Sequence, residues 1–491
     1  MLTKLFINGN WEDALSGKTF PTINPATTEV IAHIAEGGAE DVDRAVQAAR
    51  AALDGPWGKM NAAERAKIIW KMGERIMARA DELAKLETMD NGKTITESSR
   101  IDVPYSADLY FYYAGAATKL EGHTIPVNGP YFCYTLREPL GVVGLIVPWN
   151  FPLLLASRKV AAALAAGNTV ILKPAAQTPL TAIALAEIGM EAGLPPGVLN
   201  VVPGHGATAG AALVKHPGVD GIALTGGTAT GQQLMRDASN TVKKLHLELG
   251  GKSPNIVFAD ADLEAAAKMA LMGIFYNKGE VCTAGSRLLV EKSIYDNFIE
   301  KVIERAKKMQ PGDPMDPKAR LGPLVSAAQL ENVKKYVALG EQEGARLLVG
   351  GRQPDSAPGK GYFFQPTIFD QVQPDSTIAQ EEIFGPVLAT LTFQDGDELL
   401  KIANGTMYGL AAAIWTKDIK KAHRFAKAIK AGTVWINTYN NYDAAMPYGG
   451  YKMSGFGVES GMAAFEFYSL SKSVCSLANF GAFPGSDSTA R

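Results

Sequence analysis

Residues 141–174 read GVVGLIVPWNFPLLLASRKVAAALAAGNTVILKP. Val142 to Val147 is a short apolar run closed by Pro148, the pattern of a buried strand. Leu153 to Ala166 is apolar over a length that suits a helix, and Thr169 to Leu172 is the next strand. The alternation continues. Pro179 to Ala192 forms a helix with Pro at its start, where a missing N–H costs nothing. Val198 to Val202, Ala207 to Val214 and Gly221 to Leu224 then read as strand, helix and strand. This βαβαβ rhythm implies a doubly wound parallel sheet, and such sheets bind ligands beyond the carboxyl ends of their strands.

Outward from this core, Asp41 to Leu53 reads as a helix. Asn61 and Glu64 have the spacing of a capping box, opening an amphipathic helix through Ile68, Ile69, Met72 and Ile76. A second α/β unit follows the first. Its helices are expected near Leu263 to Ile274, Ile294 to Lys308 and Ala327 to Glu343. Its strands are expected near Ser286 to Val290, Pro386 to Phe393 and Thr433 to Ile436. The run Pro354-Asp-Ser-Ala-Pro-Gly-Lys-Gly361 is a loop by composition, and the polar tail Gly481 to Arg491 is expected to fray.

A chain of 491 residues is too long for one core, so two or three domains are expected. A formal charge of −2 gives no reason to expect nucleic acid or an anionic membrane as partner. The most apolar stretch, Gly141 to Leu155, is interrupted by Pro148, Asn150 and Pro152, which argues against a membrane span. Met1 to Trp11 holds no long apolar region, so no secretory signal is expected. The three cysteines, Cys133, Cys282 and Cys475, argue against a disulfide framework and for a reducing compartment, here the cytoplasm. Neither Cys-x-x-Cys nor His-x-x-x-His spacing suggests a metal site.

Chemistry concentrates in two runs, Leu247-Glu-Leu-Gly-Gly-Lys-Ser-Pro254 and Asn277-Lys-Gly-Glu-Val-Cys-Thr-Ala-Gly-Ser-Arg287. Cys282 supplies a thiol that becomes a nucleophile when its pKa falls or a base stands nearby. Glu248 supplies a carboxylate that can take a proton or activate water. Taken alone, Cys282 reads equally as a small buried hydrophobe, Glu248 as a solvated strand-end carboxylate, and Asn150 as a turn residue between two prolines.

Both runs resemble the active-site signatures of the aldehyde dehydrogenases. Pro148-Trp-Asn-Phe-Pro152, Ile171-Leu-Lys-Pro174, Thr225-Gly-Gly-Thr-Ala-Thr-Gly231, Glu381-Glu-Ile-Phe-Gly-Pro386 and Pro447-Tyr-Gly-Gly-Tyr-Lys-Met-Ser-Gly455 are similar to further motifs of that family, in family order. The likeness runs from about Phe6 to about Val474. It implies a Rossmann-like NAD(P)-binding domain at 1–117 and 140–250 and an α/β catalytic domain at 251–450. A small β oligomerisation element would comprise 118–139 and 451–491, including the tail. The assembly implied is a homotetramer, with a dimer as the alternative.

The resemblance also assigns roles. Cys282 is the implied nucleophile, Asn150 and the Cys282 N–H the oxyanion donors, and Glu248 the base that releases a free acid. Relatives that pass the acyl group to coenzyme A lack this Glu. For NAD or NADP it implies Trp149, Lys173, Ala176, Gly206, Gly226, Gly227, Gly231, Leu249, Glu382 and Phe384. No metal is implied. Substrate-lining positions are Phe151, Leu154, Leu155, Arg158, Tyr276, Val281, Thr283, Tyr442 and Tyr448.

Three departures from the family pattern carry expectations. Glu280 stands where Gln is usual, and a nearby carboxylate disfavours a thiolate. Gly227 stands where Ser is usual, removing one side-chain hydrogen bond to phosphate. Ala176 stands where NAD-preferring relatives often carry Glu, so NADP should be accepted beside NAD. Arg158 occupies a tunnel position where relatives acting on semialdehydes also carry Arg. The tyrosines favour aromatic or medium-sized aldehydes instead. Semialdehyde oxidation, thiol esterase activity and a non-enzymatic binding role on the same fold remain the rival readings.

Overall fold

The computed structural model describes residues 3–355 and 360–478. Two large sheets dominate. In the first, the strands Leu199–Val201, Thr169–Lys173, Val142–Ile146, Gly221–Thr225 and Lys244–Glu248 lie side by side and parallel. Antiparallel strands close both edges: Leu5–Ile7 and Asn10–Glu12 on one side, Gly455–Phe456 on the other. Chain order runs outward from Val142–Ile146 to Leu199–Val201. It then returns to place Gly221–Thr225 on the opposite side of Val142–Ile146. That reversal is a topological switch point, where the helices diverge and leave a crevice at the carboxyl ends.

The second sheet orders its strands Arg346–Val349, Thr367–Asp370, Val387–Phe393, Arg287–Glu291, Pro254–Val257, Ala411–Trp415 and Thr433–Ile436. All its pairings are parallel except that of Arg346–Val349. The central strands of both sheets are apolar and buried on both faces, as parallel sheets flanked by helices require. Helix Pro152–Ala165 is buried along its whole length between the first sheet and helix Val103–Ala116.

A third sheet joins distant parts of the chain. Tyr131–Pro139 pairs antiparallel with Ser469–Leu477 along all nine positions, and Thr124–Ile125 adds a short edge. Its register sets Cys133 opposite Cys475, with Cα atoms 4.3 Å apart and the sulfurs joined. This corrects the reading of the three cysteines as arguing against disulfides, although Cys282 remains free. The two cysteines face each other because residues in direct antiparallel register hold their side chains on one face, a pairing that sequence separation conceals.

The capping box at Asn61 and Glu64 forms reciprocally. The helix expected over 207–214 is shorter. Gly206–Gly210 winds as a wider π turn between two glycines, and the α-helix is Ala211–Lys215. The Gly481 to Arg491 tail lies outside the described residues, as does the middle of the 354–361 loop. Among the described residues no helix is long and apolar enough to cross a membrane.

Candidate active site

Four adjacent strands of the first sheet deliver their carboxyl ends to the crevice. Thr169–Lys173 ends on Lys173, Val142–Ile146 leads to Trp149 and Asn150, Gly221–Thr225 leads to Gly226 and Gly227, and Lys244–Glu248 ends on Glu248. Gly227 N-caps helix Thr228–Ala238 without a side-chain cap, leaving the first-turn N–H groups free to receive an anion. A Cβ at Gly206 or Gly227 would meet nothing within 4 Å, so both border open space. Gly231 differs: a Cβ there would press into Leu249 at 2.7 Å, so this glycine lets the helix pack onto Leu249.

Lys173 is buried, and desolvation pulls its ammonium down to about 8. Ala176 is half-buried beyond it. In the loop before strand Val387–Phe393, the Glu382 carboxylate accepts the Gly251 N–H at 3.0 Å, and burial raises its pKa to about 7. Phe384 sits at φ 58°, an uncommon conformation for an aromatic residue, and meets Trp149 edge-to-face at 5.1 Å. Open glycines, a helix N-terminus, a lysine and a carboxylate along one crevice fit a dinucleotide. The pyrophosphate suits the helix end and a ribose suits Glu382.

The paired glycines after Glu248 have steric reasons. A Cβ at Gly250 would collide with the Glu382 carboxylate, and one at Gly251 with the Cys282 carbonyl. This close approach brings the Glu248 segment against the thiol loop. The loop turns through Asn277, Lys278 and Gly279 at φ 44°, 60° and 75°, three successive left-handed residues. Asn277 locks it by donating its side-chain amide to the Asn150 carbonyl at 2.7 Å. Asn150 in turn donates its own amide to the Glu280 carbonyl at 3.0 Å, while its Oδ1 is buried without a partner.

Glu280 does not act as an extra charge on the thiol. Its carboxylate faces away, 3.0 Å from Lys278 Nζ, and accepts the Val325 N–H at 3.0 Å. Lys278 also donates to Asn91 Oδ1 at 2.7 Å, and Asn91 donates to the Trp149 carbonyl at 2.8 Å. The expected electrostatic penalty is thus corrected by a buried counter-charge two residues upstream in the same loop.

Burial pushes the Cys282 thiol up to about 11. A hydrogen bond from Tyr448 and the charge of Arg158 oppose that rise, and the charges of Glu382 and Glu248 add to it. Glu248 is 2% exposed, with Oε2 lacking any partner. Burial first, then the charge of Glu459, raise its pKa well above the carboxylate range, against Lys159 and Arg158. Glu459 is opposite in character. Burial opposes its charge, yet Lys159, His246 and Arg158 hold it down to about 2.

Beside the thiol opens a cavity of about 190 Å³. Its wall contains all nine positions assigned from sequence: Phe151, Leu154, Leu155, Arg158, Tyr276, Val281, Thr283, Tyr442 and Tyr448. Phe151 stacks on Tyr276 at 5.8 Å, and Tyr276 donates to Asp102 at 3.2 Å. Arg158 lies over the Tyr448 ring at 5.1 Å with Nη1 3.5 Å from Glu459. Ile101, Tyr105, Met269, Met272, Tyr439 and Asn440 complete the wall and were not singled out, since they come from elements with no local motif. Lys159 and Glu459 were also missed. A charged Arg158-Lys159 pair inside an otherwise apolar buried helix was the signal available for the first.

The model of the aldehyde dehydrogenase family matches residues 11–474. The chain is 51% identical over 479 residues to aldehyde dehydrogenase family 2 member B4, mitochondrial, of Arabidopsis thaliana, covering 97% of this chain and 88% of that one. It is 49% identical over 473 residues to the mitochondrial benzaldehyde dehydrogenase of Antirrhinum majus, covering 96% and 88%. Among solved structures it is similar to a cysteine-to-alanine mutant of P. syringae AldA indole-3-acetaldehyde dehydrogenase in complex with NAD+ and IAA. That likeness has a TM-score of 0.95 and 46% identity, and covers 97% of this chain and 96% of the other.

Proposed function

The chain belongs to the aldehyde dehydrogenase family, and from that premise we propose that it oxidises aromatic or medium-sized aldehydes to free acids, with Cys282 as nucleophile and Glu248 as base. The observation that carries this reading is the convergence of Cys282, Asn150 and Glu248 between an aromatic-walled cavity and the switch-point crevice.

Cys282 adds as thiolate to the carbonyl carbon, and the carbonyl electrons move to oxygen. The Asn150 amide and the Cys282 N–H are the donors for that oxyanion. NAD(P)+ supplies the acceptor for the hydride that leaves the carbon as the thioester forms. Trp149, Lys173, Ala176, Gly206, Gly226, Gly227, Gly231, Leu249, Glu382 and Phe384 would hold it. Glu248 then takes a proton from water, whose oxygen adds to the thioester and expels the sulfur. Lys159 and Glu459 stand behind Glu248 and set how tightly it holds that proton.

The cavity wall supports the substrate class. Its side chains are mostly aromatic or aliphatic, and its one arginine is already paired. Two relatives named for benzaldehyde and indole-3-acetaldehyde point the same way. The proposal extends to assembly: 1–117 with 140–250 binds the cofactor, 251–450 carries the thiol, and the third sheet joins subunits into a homotetramer. Exposed Tyr131, Phe132, Leu136, Leu470 and Leu477 on that sheet support a covering partner. Cytoplasmic residence remains part of the proposal. Reduced-nicotinamide absorbance on adding benzaldehyde tests the activity; Cys282→Ala should abolish it while leaving cofactor binding nearly intact. Ester hydrolysis without cofactor reduction would favour the esterase reading instead.

A further inference from the structure

Tyr448 does more than line the cavity. Its hydroxyl oxygen is 3.2 Å from Cys282 Sγ, the one hydroxyl among the described residues that bonds the thiol. Three other wall phenols are committed elsewhere: Tyr442 to the Thr283 hydroxyl at 2.6 Å, Tyr439 to the Thr283 carbonyl at 2.7 Å and Tyr276 to Asp102 at 3.2 Å. The position of Tyr448 is over-determined. Its backbone N–H and C=O both bond Glu459, each at 2.7 Å, and its ring is held between the Arg158 guanidinium and Tyr442.

We propose that Tyr448 is a catalytic residue whose hydroxyl donates to the Cys282 sulfur, stabilising the thiolate before attack and again when it departs from the thioester. Burial, the neighbouring Cys282, Tyr442 and Glu248 all hold the phenol protonated, so it is the donor whenever the sulfur is a thiolate. The groups acting on the thiol from the surrounding elements are Tyr448 and Arg158, which favour the thiolate, and Glu382 and Glu248, which disfavour it. Tyr448 is therefore the neutral donor offsetting two carboxylates in a desolvated site.

The electrons balance without breaking the Tyr448 O–H bond. The sulfur lone pair forms the C–S bond as the carbonyl pair moves to oxygen. Carbon is then oxidised by hydride loss to NAD(P)+, which is reduced. Water oxygen adds to the thioester, its proton passes to Glu248, and the C–S pair returns to sulfur, where the Tyr448 O–H receives it.

This inference rests on Cys282 being the nucleophile. The test is the pH dependence of iodoacetamide alkylation at the Cys282 peptide, followed by mass spectrometry on the enzyme with NAD+ bound. Tyr448→Phe should move the thiol titration upward by about one unit, with a roughly tenfold lower alkylation rate at neutral pH. Its kcat should fall more than its KM rises. Tyr442→Phe should leave the thiol titration in place. A Tyr448→Phe titration matching wild type overturns the proposal. Should that variant fail to fold, fluorotyrosine at position 448, a stronger donor of nearly equal shape, should move the titration downward; no movement overturns the proposal equally. Cys282→Ala separates the two readings. If it still oxidises aldehyde, the nucleophile assignment falls and the tyrosine's role with it. If it is inactive while Tyr448→Phe titrates as wild type, only the tyrosine's role falls.

Discussion

Arg158 and Glu459 meet at 3.5 Å at the edge of the cavity, and Lys159 engages the same carboxylate. The arginine's charge is therefore answered from within the protein before substrate enters. Recruiting it to a substrate carboxylate would require giving up a buried partner, which costs several kcal/mol.

Arg158→Met is accordingly predicted to change kcat/KM by similar factors for benzaldehyde, hexanal and a carboxylate-bearing semialdehyde. Steady-state assays on the three substrates measure it. A rise in KM confined to the semialdehyde would show that Arg158 reads a carboxylate and that the aromatic preference is mistaken.

Glu248 sets a pH dependence whose sign follows from its environment. Burial first, then Glu459, raise its pKa, which favours the protonated carboxyl, and that form cannot accept a proton from water. The kcat should climb as pH rises through that raised pKa. Glu459→Gln removes a charge that raises Glu248, and should displace the rising limb toward lower pH. A wild-type kcat that is flat from pH 6 to 9 contradicts this.

Ala176 places no carboxylate three residues beyond Lys173, whose ammonium pKa burial lowers to about 8. NADP should be used with efficiency comparable to NAD, and Ala176→Glu should shift preference toward NAD. NADP binding should also weaken above pH 8 more steeply than NAD binding, because Lys173 loses its proton there. A wild-type preference for NAD of a thousandfold, about 4 kcal/mol, would overturn the inference.

Lys278 and Glu280 form a buried pair within the thiol loop. Lys278→Gln or Glu280→Gln alone leaves one buried group uncompensated, and should cost about 3–5 kcal/mol. The double Gln variant should recover most of the loss. Urea unfolding of the four proteins is the measurement. Single variants as stable as wild type would mean that the pair does not brace the loop.

The first sheet was legible because its inner strands are unbroken apolar runs bounded by Pro or Gly, as in Val142–Ile146 and Gly221–Thr225. Lys244–Glu248 was not, because Lys244 and His246 alternate with leucines and imitate a surface strand, although His246 and Glu248 are buried. Glu248 and Cys282 were found through motif resemblance. Their approach depends on Gly250 passing close to the Glu382 carboxylate and Gly251 close to the Cys282 carbonyl, which spacing alone does not encode. The cavity wall shows the same limit. Leu154, Leu155 and Arg158 share one helix and could be read together. Ile101 and Met269 arrive from separate elements and depend on tertiary packing.

The division of labour between Cys282 and Glu248 is the central claim, and Glu248→Gln tests it most directly. Rapid mixing of this variant with NAD+ and benzaldehyde, followed by reduced-nicotinamide absorbance, reads the two steps separately. The account predicts a burst of reduced cofactor stoichiometric with active sites and almost no turnover afterwards, because the thioester forms and is not hydrolysed. Steady-state turnover at the wild-type rate would contradict it.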